Sequence, residues 1–136
     1  MEELKKELGF PLNWPPHLPN RRLALTVAEW VRRHHPDVSR QLNKDLFAAH
    51  FANAEDLGDP AVIHCHASGL GVDVDDLHAA LIDGSAEAAV DQAEMIGRQF
   101  GVKGTPAWLI SRQLITGLRS AAEFERMAEN AARRRR

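Results

Sequence analysis

Cysteine is nearly absent: the 136 residues hold one thiol, Cys65. A lone cysteine excludes an internal disulfide framework and suits a reducing compartment, so the expected location is cytoplasmic. No apolar run approaches the length of a membrane-spanning helix, and no membrane role is expected. Neither sign of charge is in large excess. A formal balance of −2 gives no general attraction for nucleic acid or a membrane surface. The first residues, Met1-Glu2-Glu3-Leu4-Lys5-Lys6-Glu7-Leu8, lack the apolar centre of a signal peptide. There is no phosphate loop, no Gly-x-Ser-x-Gly elbow and no Gly-x-Gly-x-x-Gly dinucleotide fingerprint. What remains is ordinary for a folded chain, with 44% apolar and 26% charged residues. The length suits one domain, or one domain with a helical subdomain.

The pattern that is present is mostly helical. Glu2 to Leu8 reads as the last turns of a helix stopped by Gly9. Prolines at 11, 15, 16 and 19 make the next stretch an extended connector, anchored through Trp14. Asn20 caps a helix running to about His35, with Leu23, Val27, Trp30, Val31 and His34 as its inner face. The next helix opens at Pro36 or Asp37. It carries two apolar stripes, Val38-Leu42-Leu46-Ala49 and Phe47-Phe51, a pattern that predicts burial between neighbours. Asp59-Pro60 opens a short helix through His66. Asp73 caps another, with Val74, Leu77, Leu81 and Ile82 expected inside. Gly84-Ser85 recaps the chain for a helix from Ala86 to Phe100, whose expected inner face is Ala89, Ala93, Ile96 and Phe100. Ala107–Ile110 and Gln113–Thr116 predict a hairpin over Ser111-Arg112, although that turn lacks the favoured Asn-Gly. Ser120 to Glu123 is a capping box for the last helix, with Phe124, Met127, Ala128 and Ala131 on its apolar face.

One stretch organises the rest: Gly101-Val102-Lys103-Gly104-Thr105-Pro106-Ala107-Trp108-Leu109-Ile110. A helix ends at a glycine, a second glycine follows, and a Thr-Pro step leads directly into an apolar strand. Proline tolerates a cis bond far better than other residues do, so Thr105-Pro106 reads as a cis-proline loop. The stretch resembles the cis-proline loop of the thioredoxin superfamily, and specifically of the DsbA family of thiol–disulfide oxidoreductases. FrnE-like proteins and 2-hydroxychromene-2-carboxylate isomerases are near relatives. Leu18-Pro19-Asn20-Arg21-Arg22-Leu23-Ala24-Leu25 with Ala28-Glu29-Trp30 resembles the entry to that family's helical insertion. So does Leu46-Phe47-Ala48-Ala49-His50-Phe51 followed by Asp56-Leu57-Gly58-Asp59-Pro60. Nothing resembles the family's N-terminal βαβ unit with its Cys-x-x-Cys pair.

The resemblance implies an α-rich α+β fold: a DsbA-like helical insertion bundle joined to the C-terminal ββα half of a thioredoxin fold. The implied divisions are a connector over 1–19, the insertion over 20–84, and the thioredoxin-like half over 85–136. It also implies a substrate-binding groove at Gly104, Thr105 and Pro106, with Trp14 on its other side and His17 nearby. The residue before the cis-proline offers its backbone to an extended substrate. No catalytic residue is assignable. Dithiol exchange needs an attacking thiolate and a resolving partner. Cys65 lies mid-helix in Ile63-His64-Cys65-His66, inside the insertion, and is expected to be buried as a small hydrophobe.

Other clusters carry less. Consecutive and i,i+2 residues do not share a helix face, so His64, Cys65 and His66 cannot converge on one metal ion, and His34-His35 fails alike. No metal is expected. Asp73, Asp75 and Asp76 lack the glycine and closing glutamate of a calcium loop and are better read as caps. Arg133 to Arg136 complements a helix C-terminus, and no interleaved aromatic points to nucleic acid.

Three functional readings follow from the resemblance. The first is a DsbA-like oxidoreductase family protein, partial or truncated, that keeps the substrate holder and lacks the attacker. The second is a non-catalytic binding or assembly module using the cis-proline groove for a protein or peptide. The third is a relative of the glutathione-dependent isomerases, which leaves glutathione or another low-molecular-weight thiol as a ligand and no other cofactor. A two-stranded hairpin is marginal alone. Its edge is therefore expected to be covered by a second copy of the chain, another chain, or residues upstream of Met1.

Overall fold

Proline, aspartate and glycine set most of the element boundaries. The computed structural model describes residues 6, 9, 13 and 15–135. Among these the order is α1 (Arg22–His34), α2 (Pro36–Phe51), α3 (Pro60–Gly69), α4 (Val74–Asp83), α5 (Ser85–Gln99), β1 (Ala107–Ile110), β2 (Gln113–Thr116) and α6 (Ala121–Arg134). The fold is mostly helical α+β, with a single two-stranded antiparallel sheet among the described residues. The helix expected over Glu2–Leu8 falls outside them apart from Lys6, and so does Trp14.

The caps act as their chemistry dictates. The N-cap of α1 is Arg21, which makes no side-chain cap bond, and Asn20, expected there, accepts from the Arg22 amide at 3.0 Å from one residue earlier. Pro36 and Pro60 each occupy a first helical turn, where a missing donor costs nothing. Asp59 accepts from Ala61 N, and Asp73 from both Asp75 N and Asp76 N. Ser120 and Glu123 complete a reciprocal capping box on α6. The backbone and side-chain bonds from Ser120 hold the Glu123 carboxyl below its ordinary pKa.

The chain divides into two compact units, residues 1–91 and 92–136. The first has a core built from every helix it contains. Val27 and Val31 of α1, Leu42 of α2, Ile63 of α3, Leu77 of α4 and Ala86 of α5 are fully buried, and Trp30 and Leu46 are nearly so. Ion pairs brace its surface. Arg22 reaches Asp91 at 2.6 Å and Glu87 at 3.5 Å. Glu29 takes Arg32 at 2.7 Å and Arg33 at 3.0 Å. The Pro-rich connector is tied to the far end of α2. Asn13 donates its amide to Phe51 O at 2.6 Å and its side chain to Ala52 O at 2.8 Å. His17 Nε2 lies 3.3 Å from Asp56 Oδ2, so this imidazole holds the connector down.

Several expected inner faces are not inside. Ile82 is 75% exposed, because it sits about 140° around the helix from Leu77, which defines the buried side of α4. Phe47 is 66% exposed and stacks on Phe51 with ring centres 6.1 Å apart. The second stripe of α2 therefore lies along an open groove with Leu25 instead of being sandwiched between helices. His34 is exposed but not idle. Its Nδ1 donates to Trp30 O at 2.9 Å, and its ring stacks on the indole at 4.6 Å.

The second unit is thinly packed. Ile115 is its one buried residue among those described. Trp108 meets Phe124 of α6 edge to face, with ring centres 4.8 Å apart. Ile110, Ile115 and Met127 line a cavity of about 200 Å³ between hairpin and helix. Ala93 and Ile96, expected inside, are exposed, as is Ala128 of α6. The apolar face of α5 is buried at Ala86, Ala89 and Val90 and open beyond them. A helix face stays covered only as far as a packing layer extends, and the two-stranded sheet is a short layer.

Candidate functional site

The loop between α5 and β1 follows from its glycines. Gly101 takes φ +77°, a left-handed conformation that favours glycine. Its amide donates to Arg98 O at 3.0 Å, and the Val102 amide returns to Gly97 O at 2.9 Å. These bonds close the end of α5. From Gly101 to Pro106 every residue is exposed. A Cβ placed on Gly104 would meet nothing within 4 Å, so the space before the loop is open.

The Thr105–Pro106 peptide is cis. Pro106 O accepts from Gly117 N at 3.0 Å, which extends the hairpin ladder one step past Ala107↔Thr116. The Thr105 backbone takes no hydrogen bond among the described residues. At the other end, Ser111 and Arg112 hold φ of +50° and +67°, a tight two-residue hairpin turn made without glycine.

Of the residues singled out from the sequence, Gly104, Thr105 and Pro106 stand together on this exposed loop, while Trp14 lies outside the described residues. Cys65 is exposed, contrary to the expected burial. The reason is helical phase. Ile63 and Ala67, four residues apart, form the buried side of α3, and Cys65 between them points away. The neighbouring histidines have separate partners. His66 Nε2 lies 3.2 Å from Glu55, and the His64 ring meets His78 edge-on at 6.3 Å. Among the described residues no group of three His, Cys, Asp or Glu side chains could hold a metal ion. None of the described helices is long and apolar enough to cross a membrane.

The model of the DSBA-like thioredoxin domain family matches residues 1–128. The chain belongs to this family. At that level it stands among thiol–disulfide oxidoreductases. No curated protein matches it. The groove beside Leu25, Phe47 and Phe51 is a feature the sequence reading did not find. Two stripes on one helix look alike in sequence whether the second meets a neighbour or solvent.

Proposed function

We propose that this DsbA-like chain is a substrate-holding module: it binds an extended protein or peptide segment at Gly104, Thr105 and Pro106 and does not itself carry out dithiol exchange. The observation that carries this is the Thr105 backbone, exposed and without a hydrogen bond among the described residues, at the head of a strand. A free donor and acceptor in that position suit main-chain pairing with an extended ligand.

The chemistry of exchange supports the second half. A thiolate must attack one sulfur of the substrate disulfide, and a second thiol must then resolve the mixed disulfide. With Cys65 as its one thiol, the chain cannot supply both partners, and that thiol stands on α3 in the first unit. The expected result is no disulfide-reductase turnover by the wild type or by Cys65→Ser. Amide shifts on titration with an unfolded, alkylated polypeptide should centre on residues 103–109. Shifts confined to the α1–α2 groove would sink the proposal. Saturable shifts with reduced glutathione alone would instead favour the isomerase-like reading.

A further inference from the structure

We propose that Glu55 and Asp56 form a proton-operated clasp: two adjacent carboxylates grip His66 of α3 and His17 of the connector, firmly when the imidazoles are charged and loosely when they are neutral. The two acids sit in the turn between α2 and α3, and the backbone of that turn is tightly set. The Asn53 amide donates to Ala48 O at 3.0 Å and the Glu55 amide to Ala49 O at 2.8 Å, which folds the chain back over the last turn of α2. Ala54 between them takes φ +53°, in the left-handed region that residues with a Cβ seldom adopt. From there Glu55 reaches α3, where His66 Nε2 lies 3.2 Å from its carboxylate. Asp56 reaches the connector, where His17 Nε2 lies 3.3 Å away. Asp56 Oδ1 also accepts from the Gly58 amide at 2.8 Å, and that bond, with His17 adding to it, holds the carboxyl below its ordinary pKa. A Cβ on Gly58 would stand 3.0 Å from Asp56 Oδ1 and 3.6 Å from Pro19 Cβ, so the connector rests directly on this turn.

Imidazole is the side chain whose charge changes between about pH 5 and 8. A neutral ring can still donate one N–H to a carboxylate, and a charged ring makes that bond roughly twice as strong. Each pair alone is modest. The His17 side chain is 61% exposed, so solvent screens its pair, while His66 is more sheltered at 24%. The two pairs act together because Glu55 and Asp56 share one short turn, and freeing either carboxylate loosens the backbone that presents the other. The connector's second tie is nearby, since Asn13 is bonded to Phe51 and Ala52 where the turn begins. Phe51 and Leu57 also line the groove with Leu25 and Phe47, so the clasp sets how firmly the connector is held at that end of it. Among the described residues no other charged group lies within ion-pair distance of either imidazole. His34 of α1 lies on Trp30, His50 of α2 against Phe51, and His78 of α4 against His64. Glu29 of α1 is held by Arg32 and Arg33, and Asp45 of α2 by Gln41. The clasp is therefore tightest in weak acid, above the carboxylate titration, and loosens as pH rises through that of the imidazoles.

The test follows the isotope-labelled full chain by NMR from about pH 5 to about pH 8, with hydrogen exchange corrected for its intrinsic pH dependence. The ring signals of His17 and His66 should titrate in step with the Asn13 and Gly58 amides. Protection of the Asn13 amide should fall about threefold or more across that range, while the Val31 and Leu42 amides in the core keep theirs. His17→Gln with His66→Gln leaves a neutral donor at each place and should hold Asn13 at the weakly protected level at every pH. His17→Gln alone changes an exposed side chain, so its outcome does not depend on how well the double variant folds. It should remove most of the Asn13 response and leave the His66 ring titrating. Constant Asn13 protection through both ring titrations, or a fall that persists undiminished in His17→Gln, overturns the clasp. An Asn13 response unchanged by His66→Gln overturns the coupling of the two pairs through the shared turn.

Discussion

The two units of this chain solve the burial problem to different degrees. In residues 1–91, helices α1 to α4 each contribute buried side chains to one cluster, and the start of α5 joins it. Among the described residues of 92–136, one isoleucine is buried, and a cavity opens between hairpin and helix beside the Trp108–Phe124 contact. Charge divides along the same line, since the excess of Lys and Arg after residue 91 requires an acidic excess before it. A unit that packs its own core needs nothing further. The second unit leaves much of its interior unfilled among the described residues. That difference sets the exposed Gly104-Thr105-Pro106 loop in the thinly packed unit.

The largest expected effect tests this directly. Leu42→Ala removes a fully buried side chain from the first unit and should cost about 3 kcal/mol, within the usual range for such cavities. Ile115→Ala adds space beside an existing cavity and should cost less than about 1.5 kcal/mol of global stability. Urea titration measures both. Native-state hydrogen exchange should show β1 and β2 opening well below the global unfolding energy in the wild type. Equal losses for the two variants, with uniform protection, would mean the units share one cooperative core.

A smaller effect comes from the α1 ion-pair cluster. Hydrogen bonding from Arg32, with Arg33 adding to it, lowers the Glu29 pKa to about 2, although partial burial opposes the shift. The folded-state value is depressed, so the stabilisation is present above the unfolded carboxylate range and is lost as pH falls toward the folded value. The pairing arginines are partly solvated, which reduces the effect to about 1 to 2 kcal/mol at neutral pH. Glu29→Gln should therefore differ from wild type by that amount at neutral pH. The difference should nearly close as pH falls from about 4.5 to about 2. A gap that persists through acid would show that shape, not charge, is what Glu29 supplies.

In the second unit, the turn offers a gain instead of a loss. Ser111 and Arg112 both occupy left-handed conformations that cost non-glycine residues about 1 kcal/mol each. Replacing the pair with Asn-Gly should stabilise the hairpin by about 1 kcal/mol, read as slower exchange at Trp108 and Ile115. No gain would mean the hairpin is limited by its packing on α6.

The sequence was most legible where local chemistry decides structure. Asp59, Asp73 and Ser120 announce helix starts, the buried stripe of α2 runs through Leu42, Leu46 and Ala49, and the hairpin bounds emerge from β-rich runs. It was least legible where burial depends on a neighbour. Ile82, Ile96 and Phe47 are apolar and spaced for a helix, yet no described element covers them. The candidate loop was visible as Gly-Thr-Pro before a strand. The bond from Gly117 N to Pro106 O depends on the hairpin register, which no local pattern encodes.

Cys65 carries the smallest expected effect and the sharpest contrast with expectation. A buried thiol would react with an aromatic disulfide reagent only through unfolding, at a rate suppressed by the unfolding equilibrium. On the outer side of α3 the thiol needs no such opening. Its native-state reaction should be complete and within about tenfold of the rate in denaturant, and Cys65→Ser should change stability by less than about 0.5 kcal/mol. On the proposed holding role, the same labelled chain should still bind extended polypeptide, because Thr105 lies in the other unit. Loss of binding on labelling would tie the thiol to the binding surface and break the division of labour between the two units.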